Sequence, residues 1–185
     1  MKTTIELEEK YAIPFFKKIP VSIESGKGVY VKDEDGVEYL DFTSGWGVSC
    51  LGYSHPVMLE AIEQQSQKII HNPCSGLTYS PNRAKLLELL VGVLPENLTR
   101  VFFSNSGAES NDAAIKLARK VTGRLDVLSF EKSFHGRTIS TASATGQQKF
   151  REKFNPLMPN YRFIPFNDIE ALKAEMDESL AAVIM

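Results

Sequence analysis

The chain has 185 residues, 43% hydrophobic and 24% charged, with a net charge of −2. That is the make-up of an ordinary globular protein, long enough for one core or for one domain and part of a second. The small net charge offers no field for nucleic acid or an anionic membrane surface, and no segment approaches about 18 consecutive apolar residues.

The first residues, MKTTIELEEKYAI, carry acidic side chains and no apolar core of signal-peptide length. Cys50 and Cys74 match no metal-ligand spacing, and two cysteines make no disulfide framework, so no metal site and a reduced, cytoplasmic setting are expected. A short helical candidate before Pro14 and Pro20 makes an extended arm the expectation for residues 1–20 rather than a packed helix. From Gly28 to Phe42, Val29 and Val31 alternate with polar neighbours. Asp35-Gly36 signals a hairpin turn, and 37–42 is the return strand.

Thr43 to Gly52 is a glycine-rich loop holding the single tryptophan. Trp46 either plugs a gap in the core or stands on a ligand-facing wall, where glycines let backbone come close. His55-Pro56 opens a helix over 56–70, with Leu59, Ile62 and Ile69 inward and His55 more a capping residue than a catalyst. After the polar loop His71–Ser80, Ser80-Pro81 starts another helix, with Leu86, Leu87, Leu89, Leu90 and Val93 as core candidates. Pro95 ends it.

Val101-Phe102-Phe103 reads as a buried strand running into Ser104-Asn105-Ser106-Gly107. Ala114, Leu117, Ala118 and Val121 then recur at the helix period. Ser106 and Glu109 form the S-x-x-E capping box of a helix start, where free N–H groups and the helix dipole favour an anion. Lacking a Cβ, Gly107 would let a phosphate approach, although such a turn can equally hold only its own cap and water.

A second strand over Arg124–Phe130 leads into the loop Glu131–Thr138, then the small, polar stretch Thr138–Gln147 and a basic-aromatic loop with Pro156 and Pro159. Tyr161–Phe166 is a third strand. Asn167 and Glu170 cap a helix with Leu172 and Met176 inward, and residues 180–185 read as a buried parallel strand on which the chain stops. From residue 100 onward strand alternates with helix, which predicts an α/β fold with a parallel sheet. Such sheets bind ligands at the carboxyl ends of their strands, so the loops Ser104–Ala108 and Ser133–Thr138 are expected to meet. The first offers a phosphate cradle. The second offers Phe134, a core side chain or a stacking platform, and Arg137, a solvated side chain or a fork for a carboxylate. Together they suit a phosphorylated aromatic cofactor acting on an amino acid.

Tyr39–Phe42 (YLDF), Leu51-Gly52 and His55-Pro56, then VFFSNSGAESNDAAIKLAR, SFHGRT, SATGQ and PFNDIEAL, resemble the N-terminal part of class III (subgroup II) pyridoxal-phosphate aminotransferases. Within that family the chain is most similar to the acetylornithine and ornithine enzymes. The resemblance implies fold type I, the aspartate-aminotransferase type, with a mostly parallel sheet and flanking helices. It also implies a homodimer with sites at the subunit interface. Residues 1–45 would be an N-terminal arm and hairpin belonging to the small domain, and 46–185 the first part of a large domain that the chain does not complete.

The implied activity is transfer of an amino group from N-acetylornithine or ornithine to 2-oxoglutarate, as in arginine biosynthesis. The alternatives are a 4-aminobutyrate or diamine aminotransferase, a glutamate-semialdehyde aminomutase, or a non-catalytic binding fragment. Residue by residue, Ser106, Gly107 and Ala108 would hold the phosphate of pyridoxal 5′-phosphate, Phe134 would stack on its ring, and Arg137 would grip the substrate carboxylate. Trp46 stands where the family shapes its substrate pocket, usually with an aliphatic residue or a tyrosine. No lysine here, including Lys116, Lys120 and Lys132, lies in a motif matching the family's Schiff-base lysine, so no catalytic residue is expected within the chain.

Overall fold

In a computed structural model, residues 3–73 and 76–185 are described. The chain divides into two compact units, Met1–Pro81 and Asn82–Met185. Among the described residues no helix is long and apolar enough to cross a membrane.

In the first unit, helix α1 (Thr4–Tyr11) forms because Thr3 and Glu6 make a reciprocal capping box, but it buries no residue. The short helical candidate before Pro14 is this helix, and it stays unpacked. Strands β1 (Ile23–Lys27), β2 (Tyr30–Asp33) and β3 (Glu38–Leu40) make an antiparallel sheet in that order. The hairpin predicted over 28–42 is β2–β3, and β1 is an additional strand beside it. Asp33 closes the turn by accepting from the N–H groups of Asp35 and Val37 and from Tyr39 Oη. The Tyr39 hydroxyl, first among these donors, holds its carboxyl below the usual range.

The next segment, α2 (Ser44–Gly47), is a single turn with Gly45 and Trp46 in the left-handed region. Trp46 is fully exposed, so it plugs no core gap; a turn of this hand throws its indole outward. Asp41 anchors the entrance, accepting from Thr43 Oγ1 (2.6 Å) and Tyr53 Oη (2.7 Å). Helix α3 (Pro56–Ser66) starts with Pro56 at its first position, but His55 in the capping position makes no side-chain cap bond. Leu59 and Ile62 are exposed rather than inward, since α3 buries no residue; the helix ends at Ser66 rather than at residue 70, so Ile69, also exposed, lies beyond it. Cys50 is an exposed free thiol, and Cys74 lies outside the described residues.

Helix α4 (Pro81–Val93) ends before Pro95, as predicted, but buries none of its leucines. Leu86, Leu89 and Val93 are exposed, and Leu87 and Leu90 are half-buried. Residues 101–103 are not a buried strand either. They join no sheet, and Phe102 and Phe103 are exposed, because no strand of the described chain runs beside them to share backbone hydrogen bonds.

The core of the second unit is a three-stranded parallel sheet, with β4 (Asp126–Phe130) between β5 (Tyr161–Ile164) and β6 (Leu180–Val183). The strand period of two sends the side chains of β4 to opposite faces. Leu128 and Phe130 pack with Ile164 and Leu180, covered by Ala171 and Leu172 of helix α7 (Ile169–Glu175). On the other face Val127 packs with Ile115 of helix α5 (Gly107–Thr122) and Ala144 of helix α6 (Ile139–Ala144). Ser129 shares the face of Val127 and is fully buried there.

Burying each such aliphatic side chain contributes about 1.5–3 kcal/mol. Arg162 staples the amino ends of the strands, donating from Nη1 to Asp177 Oδ2 (2.9 Å) and Glu175 Oε2 (3.0 Å). Helix α7 is capped by Asp168, which accepts from the Ala171 N–H (2.9 Å), not by Asn167, whose backbone is left-handed. Met176 is exposed because the helix has already ended there. Leu117 and Val121 of α5 are exposed, the sheet-facing side of the helix being that of Ile115.

Candidate active site

Ser106 is the N-cap of α5, in extended conformation, with Oγ accepting from the Glu109 N–H (3.2 Å). The reciprocal half of the expected box lands one residue early, since Glu109 Oε2 accepts from the Asn105 N–H (2.6 Å). The turn is rigid all the same, because Ser104 Oγ bonds both Ser110 Oγ (2.5 Å) and the Ser106 carbonyl (3.0 Å). First-turn amides have no intrahelical acceptor, which leaves the Gly107 and Ala108 N–H groups directed at whatever lies before the helix. A Cβ on Gly107 would meet nothing within 4 Å, so there is room for a ligand against the backbone. The dipole of a sixteen-residue helix favours an anion there.

The loop after β4 reaches this turn, as the parallel-sheet reading requires. Asn111 Nδ2 donates to the His135 carbonyl (2.8 Å), and Thr138 Oγ1 donates to Asp112 Oδ2 (2.8 Å). The closest approach is at Gly136, which has a φ of +141°. A Cβ there would lie 2.7 Å from Ala108 Cβ and 2.5 Å from Thr141 Oγ1. Only a glycine lets the two loops meet this closely.

Phe134 is half-exposed, with Phe150 edge-on at 5.4 Å between ring centroids. The Arg137 guanidinium carbon lies 5.4 Å from the Phe134 centroid, within cation–π range. His135 is buried between these two exposed side chains, and burial pushes its imidazole below the ordinary pKa.

Ser106, Gly107, Ala108, Phe134 and Arg137 are thus gathered in one unit, at the carboxyl end of β4 and the start of α5. Trp46 lies in the other unit. Sequence reasoning passed over Asn111, Asp112, Ser129, Thr145 and Phe150, which hold the loop in place. Two of them carried a signal. Asn111 stands one helical turn after Gly107, and Ser129 is the lone hydroxyl in an otherwise apolar strand interior. Chemically, the arrangement offers donors for an anion, a ring face for stacking and a guanidinium at the rim.

The sequence model of the class-III aminotransferases matches residues 14–185. The acetylornithine aminotransferase of Methanopyrus kandleri is 42% identical over 180 residues, 97% of this chain and 46% of that protein. The acetylornithine aminotransferase of Bacillus anthracis is 49% identical over 167 residues, 89% of this chain and 42% of that protein. Among solved structures, the ornithine aminotransferase of Toxoplasma gondii, with partial occupancy of PLP at its active site, superimposes with a TM-score of 0.87. It is 26% identical, and the match covers 97% of this chain and 43% of that one. The chain therefore spans somewhat under half the length of the relatives it matches, and its fold is that of the fold-type-I transaminases.

Proposed function

The chain belongs to the class-III aminotransferase family, and from that premise we propose that it supplies the phosphate- and ring-binding side of an aminotransferase site. The reaction is transfer of an amino group from N-acetylornithine or ornithine to 2-oxoglutarate, with pyridoxal 5′-phosphate as cofactor, in a cytoplasmic homodimer. What carries the reading is the meeting of two loops, with Gly136 against Ala108 and Asn111 on the His135 carbonyl. The half-exposed Phe134 and Arg137 stand within two residues of Gly136, and Gly107, next to Ala108, has open space beside its backbone.

Pyridoxal phosphate, when bound, supplies the electron sink through which an amino group passes between donor and acceptor. The residues here do the holding. The N–H groups of Gly107 and Ala108, with Ser106 beside them, donate to the phosphate; Phe134 stacks on the pyridine ring and keeps water from that face. Arg137 clamps the substrate carboxylate through two parallel N–H donors, a geometry lysine lacks. Trp46 is put forward as a pocket-wall residue on the resemblance alone. Residues 1–45 are assigned on the same basis to the small domain, and 46–185 to the first part of the large one.

The test uses the full-length protein with added pyridoxal phosphate, following glutamate formation from 2-oxoglutarate with N-acetylornithine, ornithine, 4-aminobutyrate and diamines as donors. Activity with none of them, or no visible absorbance from bound cofactor, refutes the reading. Arg137→Ala removes charge-assisted hydrogen bonds worth about 1.5–3 kcal/mol, so the KM for carboxylate substrates should rise about 10- to 100-fold with cofactor still bound. An unchanged KM refutes the role given to Arg137.

A further inference from the structure

Three hydrogen bonds converge on His135, each from a different element of the second unit. Its Nε2 lies 3.1 Å from Ser129 Oγ on β4. Its backbone N–H donates to Thr145 Oγ1 at the end of α6 (3.1 Å), and its carbonyl accepts from Asn111 Nδ2 on α5 (2.8 Å). The residue is 7% exposed, whereas Phe134 and Arg137 on either side of it face outward. Ser129 Oγ also lies 3.2 Å from Ser133 Oγ, and Ser133 Oγ accepts from the Gly146 N–H (3.1 Å). A buried polar chain therefore runs from the strand interior to the loop that carries the ring and the guanidinium.

Buried polar groups left without partners are costly, so a network of this kind admits few arrangements of the loop. The imidazole engages β4 through its Nε2. Its shape supplies a rigid arm with a polar atom at its far end. A leucine would fill the space but leave the hydroxyl of Ser129 without the ring. A glutamine would reach about as far with an amide.

We propose that His135 is a positioning residue, one that keys into Ser129 and thereby sets Phe134 and Arg137 at fixed places over the Gly107 turn. This rests on the reading above that those two side chains serve a cofactor ring and a substrate carboxylate. It adds a residue whose contribution is made through its neighbours, with no contact to ligand of its own.

Three variants of the full-length protein test it: His135→Leu, Ser129→Ala and His135→Gln. The first two should each weaken pyridoxal phosphate binding about tenfold, and His135→Gln should stay within about threefold of wild type. The visible circular dichroism of the bound cofactor, which reports ring orientation, should fall in the first two and persist in the third. In the cofactor-free protein, amide hydrogen exchange over residues 134–138 should quicken about tenfold in His135→Leu and Ser129→Ala but not in His135→Gln. Unchanged exchange and dichroism in Ser129→Ala and His135→Leu, even with a lowered melting temperature, would reduce His135 to packing and overturn the proposal. So would a His135→Gln variant as impaired as His135→Leu. A wild-type protein that takes up no pyridoxal phosphate would sink the functional reading instead, and the exchange measurement would still decide the case of His135.

Discussion

Gly136→Ala tests the meeting of the two loops directly. The added methyl would sit 2.7 Å from Ala108 Cβ and 2.5 Å from Thr141 Oγ1. Ordinary contact starts near 3.4 Å, so the first approach alone asks for a retreat of about 0.7 Å. Thr141 is fully buried and bonded to Thr138 Oγ1 at 2.8 Å, so it has nowhere to swing. The displacement must fall on the first turn of α5. An L-residue held at a φ of +141° adds strain of about 1–3 kcal/mol, and overpacking adds about 1–3 more. A loss near 4 kcal/mol is a large part of the roughly 5–15 kcal/mol that holds a domain together. Urea titration of the cofactor-free full-length protein should show the midpoint falling by on the order of 1–2 M. Pyridoxal phosphate should bind more weakly, because the Gly107–Ala108 amides move away from Phe134. A midpoint within about 0.3 M of wild type, with unaltered cofactor affinity, would mean the loops do not meet as described.

Gly107→Ala should behave oppositely. A Cβ there meets nothing within 4 Å, so stability of the cofactor-free protein should change by less than about 0.5 kcal/mol while phosphate binding weakens several-fold; equal losses in both would refute its role as a cradle. The carboxyl of Asp41, held down to about 2 first by Thr43 Oγ1 and then by Tyr53 Oη, should remain mostly ionised at pH 3. Its folded pKa lies below the ordinary 3.8, so its hold on the 41–53 segment is complete above that value and fades as pH falls through about 2. Carbon-13 titration of that carboxyl checks this, and a midpoint at or above 3.8 refutes it.

What the sequence made legible was local chemistry and strand–helix order. The apolar runs at 126–130, 161–164 and 180–183 are strands of one parallel sheet, and the turn at Ser106 and the loop at Phe134 do meet. Only the Phe134 loop follows a strand of the sheet, β4; the Ser106 turn, preceded by residues that join no sheet, meets that loop through Asn111 and Gly136. What failed was burial. Leu59, Ile62, Leu89 and Val121 lie on helical faces that a pattern of apolar residues rightly marks as hydrophobic, but a pattern cannot say what is there to cover them. Phe102 and Phe103 failed for the same reason in strand form, because pairing depends on a neighbour that sequence periodicity does not name. Asp168 displaced Asn167 as the cap because either side chain can accept the same N–H, and one residue of register decides between them. His135 was visible as a residue and hidden as a hub, since its partners come from 24, 10 and 6 positions away.

Beside α5, Phe102, Ala113, Ala114 and Leu117 border an open oily furrow, and Leu117 and Phe102 are 62% and 75% exposed. Water against such a surface is released when anything greasy takes its place, so this stretch behaves as an adhesive wherever it stays wet. Handled on its own, the 185-residue span would bind a fluorescent hydrophobic dye strongly and self-associate as its concentration rises. Mild detergent or a charged substitution at Leu117 would be the practical remedy.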